Sequence, residues 1–211
     1  LDLLFGLIED SDSPLILAGA GIRLSKSVDE FRTFVDRWNI PVVWSLMAKD
    51  CLPTDHPLNF GMIGSYGNRC ANRALSSSDL LIVLGSRLDI RQTGPSISDF
   101  ASNKKIFRVD IDPAELAGRV KADYRIESGL ADFFSRANAH VIPFNSRPQQ
   151  EIFQECQRTN PAANEQELKS NLSPDQIMRD IASIETEAET YVVDAGQHQM
   201  WAAQSLPLRE K

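Results

Sequence analysis

The chain has 211 residues, 42% of them hydrophobic and 24% charged, an ordinary composition for a globular protein of one or two domains. Its 29 acidic and 22 basic residues leave a net charge of −7, which argues against non-specific binding to nucleic acid. No apolar run is long enough to span a bilayer as a helix, so no membrane partner is expected.

Residues 1–10 read as an amphipathic helix with Leu3, Leu4, Leu7 and Ile8 on one face. Pro14–Ala18 is an apolar run that stops at glycine, the pattern of a buried strand. Residues 27–38 predict a helix whose inner face is Val28, Phe31, Phe34, Val35 and Trp38. A second buried strand is expected at 40–44, a helix at 68–75, a third strand at 79–84 and a fourth at 105–111. A weak fifth strand at 124–126 and a closing helix at 130–139 follow. This alternation predicts an α/β fold over residues 1–142: a parallel, Rossmann-like sheet of five or six strands with helices on both faces. Residues 143–172 are rich in Gln, Asn, Glu and Pro, and read as an interdomain linker with a short helix near 149–158. Ser173-Pro174-Asp175-Gln176 has the chemistry of a helix start. A second, truncated α/β unit is expected over 173–211, with 191–193 as the end of a buried strand before a glycine turn and a helix.

Cys51, Cys70 and Cys156 are odd in number and widely spaced, which suits reduced thiols better than a disulfide framework. No CxxC pair suggests structural zinc. The start, LDLLFGLIEDSDS, lacks the basic region of a signal peptide and an initiator Met. These features read as a cytoplasmic protein and as a piece of a longer chain.

Glycines and charges gather after the expected strands. Gly19-Ala20-Gly21 follows the first, and lets the backbone turn sharply and approach a ligand. Leu24 stands where the last glycine of a GxGxxG fingerprint would be, so that fingerprint is not met; a plain strand-to-helix turn explains the motif equally well. Arg87, Asp89 and Arg91 follow the third strand, where arginine can grip phosphate or simply line a solvated loop. Asp110 ends the fourth strand, where an acid can accept from a ribose, while Asp112 before Pro113 reads as a helix cap. Near the C-terminus, Asp194 to Gln204 reads as a strand end, a glycine turn and a helix start, a place where phosphate binds readily.

SLMAKD at 45–50, HPLNFGMIGSYGN at 56–68, SDLLIVLGSRLDIRQTG at 78–94, RVDIDPAEL at 108–116 and GQHQMWAAQ at 196–204 stand in one order and spacing. Together they resemble the acetolactate (acetohydroxyacid) synthases, which are thiamine-diphosphate enzymes. The resemblance covers nearly everything except 141–172. It implies a central FAD- or nucleotide-binding domain at 1–142, a linker at 143–172 and the start of the thiamine-diphosphate domain at 173–211. It further implies that Gly19, Ala20, Gly21, Ser45, Leu46, Met47, Gly64, Ser65, Tyr66, Gly67, Gly85, Ser86, Arg87, Asp89, Arg91, Gln92, Asp110 and Ile111 line the flavin site. Gly196, Gln197 and His198 would meet the thiamine diphosphate phosphates, with Met200 near the thiazolium. The family often carries His at Tyr66 and Asp at Gly129, two departures on the flavin side.

By the same resemblance, the activating glutamate and the Gly-Asp-Gly segment that holds Mg²⁺ lie outside these residues, so the chain holds no catalytic or metal-ligating residue. The parent would be a homodimer or homotetramer that acts on 2-oxo acids in branched-chain amino acid biosynthesis. The fragment itself is expected to be inactive. Other thiamine-dependent lyases and acyltransferases remain open as parents: glyoxylate carboligase, sulfoacetaldehyde acetyltransferase, oxalyl-CoA decarboxylase. A non-catalytic nucleotide-binding module is a further alternative.

Overall fold

The computed structural model describes residues 1–140, 143–159, 173–184, 188 and 190–208. Helix α1 (Asp2–Glu9) leads into β1 (Pro14–Ala18), α2 (Gly21–Leu24), α3 (Val28–Trp38) and β2 (Val42–Trp44). A 3₁₀ helix at Leu46–Cys51 precedes β3 (Asn59–Met62). Then come α4 (Arg69–Ser77), β4 (Leu80–Leu84), α5 (Ile90–Thr93), α6 (Ile97–Ala101) and β5 (Lys105–Asp110). Next are α7 (Pro113–Leu116), β6 (Tyr124–Glu127), α8 (Leu130–Ala137) and α9 (Arg147–Thr159). The last two elements are α10 (Pro174–Ile184) and α11 (Gln197–Ser205).

The strands form one six-stranded sheet in the order β3-β2-β1-β4-β5-β6, every neighbouring pair parallel. This is the α/β architecture expected. The central strands β1 and β4 are buried along their whole length, because a parallel sheet is covered on both faces. Ile16, Ile82 and Phe107 point to one face, where α1, α3 and α8 pack. Leu15, Leu17, Leu81, Val83 and Ile106 point to the other, beneath α4, α6 and α9. Aromatic rings weld α3 to α8: Phe134 lies 5.5 Å from Phe34 and 5.8 Å from Phe31. Each fully buried Phe adds roughly 1.5–3 kcal/mol.

Four features differ from the sequence reading. Strand β3 was not expected, since Asn59 and Gly61 are poor strand residues; pairing with β2 makes it one, with an irregular register between Val42 and Val43. Residues 191–193 form no strand: Val192 is 93% exposed, and no described strand lies beside them to pair with. The described part of 173–208 therefore holds two helices, α10 and α11, and no strand. Cys70 and Cys156 are disulfide-bonded rather than reduced, with Cα atoms 5.8 Å apart. The reason is topological: α9 lies beside α4 although 86 residues separate the two cysteines. Helix α9, within the stretch read as linker, packs on the sheet's second face, where Phe153 stacks on Phe60 at 4.0 Å.

Candidate functional site

All six strands are parallel, so the segments that follow them share one edge, the carboxyl edge. The strand order reverses between β1 and β4, the place where open α/β sheets take ligands. Gly19 and Gly21 follow β1 and Gly85 follows β4, and their backbones touch. Gly21 N–H donates to the Gly85 carbonyl at 3.0 Å. A Cβ on Gly19 would sit 2.1 Å from that same oxygen, and Gly85 itself has φ +60. These glycines are required by the close approach of two turns, whether or not a ligand sits above them.

The other loops join this pair. Ser45 N–H donates to the Ala18 carbonyl at 3.0 Å, and its side chain is buried. Leu46 packs on the core, while Met47 is 67% exposed. Gly64 (φ +101) lies against the 91–92 backbone, and Ser65 N–H donates to the Arg91 carbonyl at 2.8 Å. Gly67 N–H closes the turn onto Gly64, and Tyr66 projects outward. Asn72 clamps this turn by accepting from Gly64 N–H at 2.8 Å and donating to its carbonyl at 3.0 Å. Nothing in the spacing marked Asn72, which acts across eight residues from the next helix.

In the 85–92 loop, Asp89 caps α5 by accepting from Arg91 N–H at 2.7 Å and Gln92 N–H at 3.2 Å. Ser86 Oγ donates to Gln92 Oε1 at 2.7 Å. Arg87 reaches Glu115 at 3.3 Å in an ion pair where Arg87 is 82% exposed, so it can exchange its partner readily. Among the described residues, Arg91 makes no ion pair. Asp110 accepts from Asp112 N–H at 3.1 Å, and Asp112 caps α7 through Ala114 N–H at 2.8 Å, as its place before proline predicts. Ile111 is exposed beside Gly129, where an added Cβ would meet only Ile111 Cδ1, at 3.9 Å.

Thus Gly19–Gly21, Ser45–Met47, Gly64–Gly67, Gly85–Gln92 and Asp110–Ile111 line one edge. Gly196, Gln197, His198 and Met200 do not join them through any hydrogen bond or ion pair among the described residues. They begin α11, where Gly196 has φ +156 and the His198 ring folds over it. The link to that edge is indirect: Gln204 Nε2 donates to the Tyr66 carbonyl, and Thr54 and Leu208 exchange two 2.9 Å bonds. Among the described residues, no group of three His, Cys, Asp or Glu side chains could hold a metal ion. No helix among them is long and apolar enough to cross a membrane.

A parallel sheet of this order with glycine turns at its switch point is a doubly wound, Rossmann-like α/β domain. Residues 1–136 match the family "Thiamine pyrophosphate enzyme, central domain", and the chain belongs to that family. Over 204 residues it is 33% identical to the acetolactate synthase of Mycobacterium leprae, covering 94% of this chain and 32% of that protein. Over 206 residues it is 33% identical to the probable acetolactate synthase large subunit of Methanocaldococcus jannaschii, covering 93% and 34%. A probable acetolactate synthase large subunit of Methanococcus aeolicus is 46% identical over 120 residues, 57% of this chain and 20% of that protein. The chain spans about a third of the first two relatives' length.

Proposed function

We propose that these residues are the central nucleotide-binding domain, with the start of the thiamine-diphosphate domain, of an acetolactate-synthase-like enzyme. The parent decarboxylates one 2-oxo acid and joins the two-carbon fragment to a second, in branched-chain amino acid biosynthesis. The observation that carries the reading is the meeting of the 19–21, 64–67 and 85–92 loops beside the switch point, with Arg91 in no ion pair among the described residues and Arg87 weakly held. That donor set suits the pyrophosphate of FAD. Asp110 suits the adenosine side, and the room beside Gly129 accommodates it. The exposed Met47 and Tyr66 supply apolar surface for the flavin end.

At α11, Gly196 leaves the helix start open, so the first N–H groups and the His198 and Gln197 side chains can donate to the phosphates of thiamine diphosphate. Met200 is a soft wall beside them. When bound, thiamine diphosphate stabilises the negative charge left by decarboxylation. The magnesium ligands and the activating glutamate belong, in this proposal, to the part of a relative-length protein that these residues do not include. The parent is a cytoplasmic homodimer or homotetramer.

Titration of the chain with FAD, read by flavin fluorescence, should saturate. Arg91→Ala should weaken binding by about 1.5–3 kcal/mol, roughly 10- to 150-fold, for a lost charged hydrogen bond. Absence of saturable binding by the unaltered chain would refute the groove.

A further inference from the structure

Arg108 is a buried cation to which no carboxylate is bonded among the described residues. It is 1% exposed, on the β5 face that also carries Ile106. Its Nη2 donates to the Ser86 carbonyl at 2.9 Å and its Nη1 to the Val120 carbonyl at 3.1 Å. Nε, also buried, finds no acceptor among the described residues. The acids whose charge bears on it are Asp110 and Glu115, and Glu115 is already engaged with Arg87. A packed apolar side chain would cost less than an unpaired buried guanidinium, so stability alone is a poor reason for arginine here. What it holds is a better one. Ser86 follows Gly85 and opens the groove loop, and a sequence of contacts runs outward from it. Ser86 Oγ donates to Gln92 Oε1, and Gln92 Nε2 reaches Asp89 Oδ2 at 3.4 Å. Asp89 in turn holds Arg91 N–H, and the Arg91 carbonyl holds the 64–65 turn.

We propose that Arg108 is the positioning residue of the groove: by pinning the Ser86 carbonyl it sets the 85–92 loop so that Arg87 and Arg91 meet a pyrophosphate together. Arg108 does not touch the ligand. The role rests on the adenine-dinucleotide reading above and goes beyond it. The sequence alone shows only an arginine inside a strand; the distance from Arg108 to Ser86 exists only once β4 and β5 pair.

The test titrates the full chain with FAD and with riboflavin, which lacks the pyrophosphate, using Arg108→Met, Arg108→Lys and Arg108→Gln. Thermal melts report folding separately. Arg108→Met should weaken FAD by at least about tenfold, with riboflavin affected far less. Arg108→Lys, which keeps a charged donor, should recover most of the FAD affinity. Should the Met variant not fold, the Lys and Gln variants carry the comparison, with Gln expected to lose FAD discrimination. An FAD-to-riboflavin ratio unchanged in every folded variant, with the unaltered chain binding FAD, overturns the role of Arg108 alone. No FAD binding by the unaltered chain overturns the groove reading, and the role of Arg108 falls with it.

Discussion

Lys49 stands in the 3₁₀ helix after β2, its Nζ 5.2 Å from the Trp44 ring centroid, and it has no ion pair among the described residues. Burial pushes its ammonium down from 10.5 to about 8. The unfolded chain therefore binds more protons than the folded one between pH 8 and 10.5, and stability rises with pH across that window. Cys51 works the opposite way. Burial raises its thiol from 9.0 to about 11, so its contribution is full below pH 9 and is lost as pH climbs toward 11. Between pH 8 and 9 Lys49 acts without that opposition. Melting temperature should rise over this interval in the unaltered chain and stay flatter in Lys49→Met. An equal rise in both proteins would place the proton elsewhere. Neither shift can be read from Ser45 to Cys51 as a string, because both come from the packing of the 3₁₀ helix on the core. The charged residues of the 85–92 loop were legible as a group. That Asp89 caps a helix was not, since α5 is only four residues long.

Helix α9 shows how a polar stretch can still belong to a core. Its composition reads as linker, yet Phe153 and Cys156 are buried against α4 and β3. Gln149 Nε2 also donates to the Pro14 carbonyl at 3.0 Å, which ties the helix to the start of β1. The Cys70–Cys156 bond closes an 86-residue separation, for which chain entropy suggests about 4–5 kcal/mol of stabilisation. Thiol titration in denaturant without reductant should find one thiol per chain, Cys51, and all three after reduction. Three thiols before reduction would mean the pair is not bonded. The central strands were legible because β1 and β4 need apolar residues on both faces. β3 was hidden because it alternates half-buried Asn59 and Gly61 with buried Phe60 and Met62. Residues 191–193 misled for the converse reason: apolar residues make a strand only where a partner strand offers its hydrogen bonds.

At the scale of the molecule, the residues proposed to hold cofactors stand in two regions joined by few bonds. The loops proposed for the flavin share one sheet edge. The turn proposed for thiamine diphosphate opens α11, which is held to α10 by Ser205 Oγ on Asp175 at 2.7 Å, and to the loops of that edge through Gln204 on the Tyr66 carbonyl. Around it, Ile177, Ile181, Ile184 and Val192 are exposed. A phosphate site open to water is weaker than a covered one, because charge–charge attraction falls as the surrounding dielectric rises. In the proposed reading Gly196, Gln197 and His198 supply one side of a phosphate site, and the described residues offer no metal cluster to clamp the other. Holding a ligand by half its contacts costs the same ordering entropy with less to offset it. The chain, supplied with pyruvate, thiamine diphosphate, Mg²⁺ and FAD, should therefore make no acetolactate while still binding FAD. The measurement is acetolactate formation by the purified chain against the full-length parent in one buffer, with a denatured control. Cofactor-dependent turnover by the chain would show that the groups needed for catalysis are already among these 211 residues. FAD binding without turnover would support a central domain that keeps its own cofactor groove but depends on the rest of the enzyme for chemistry.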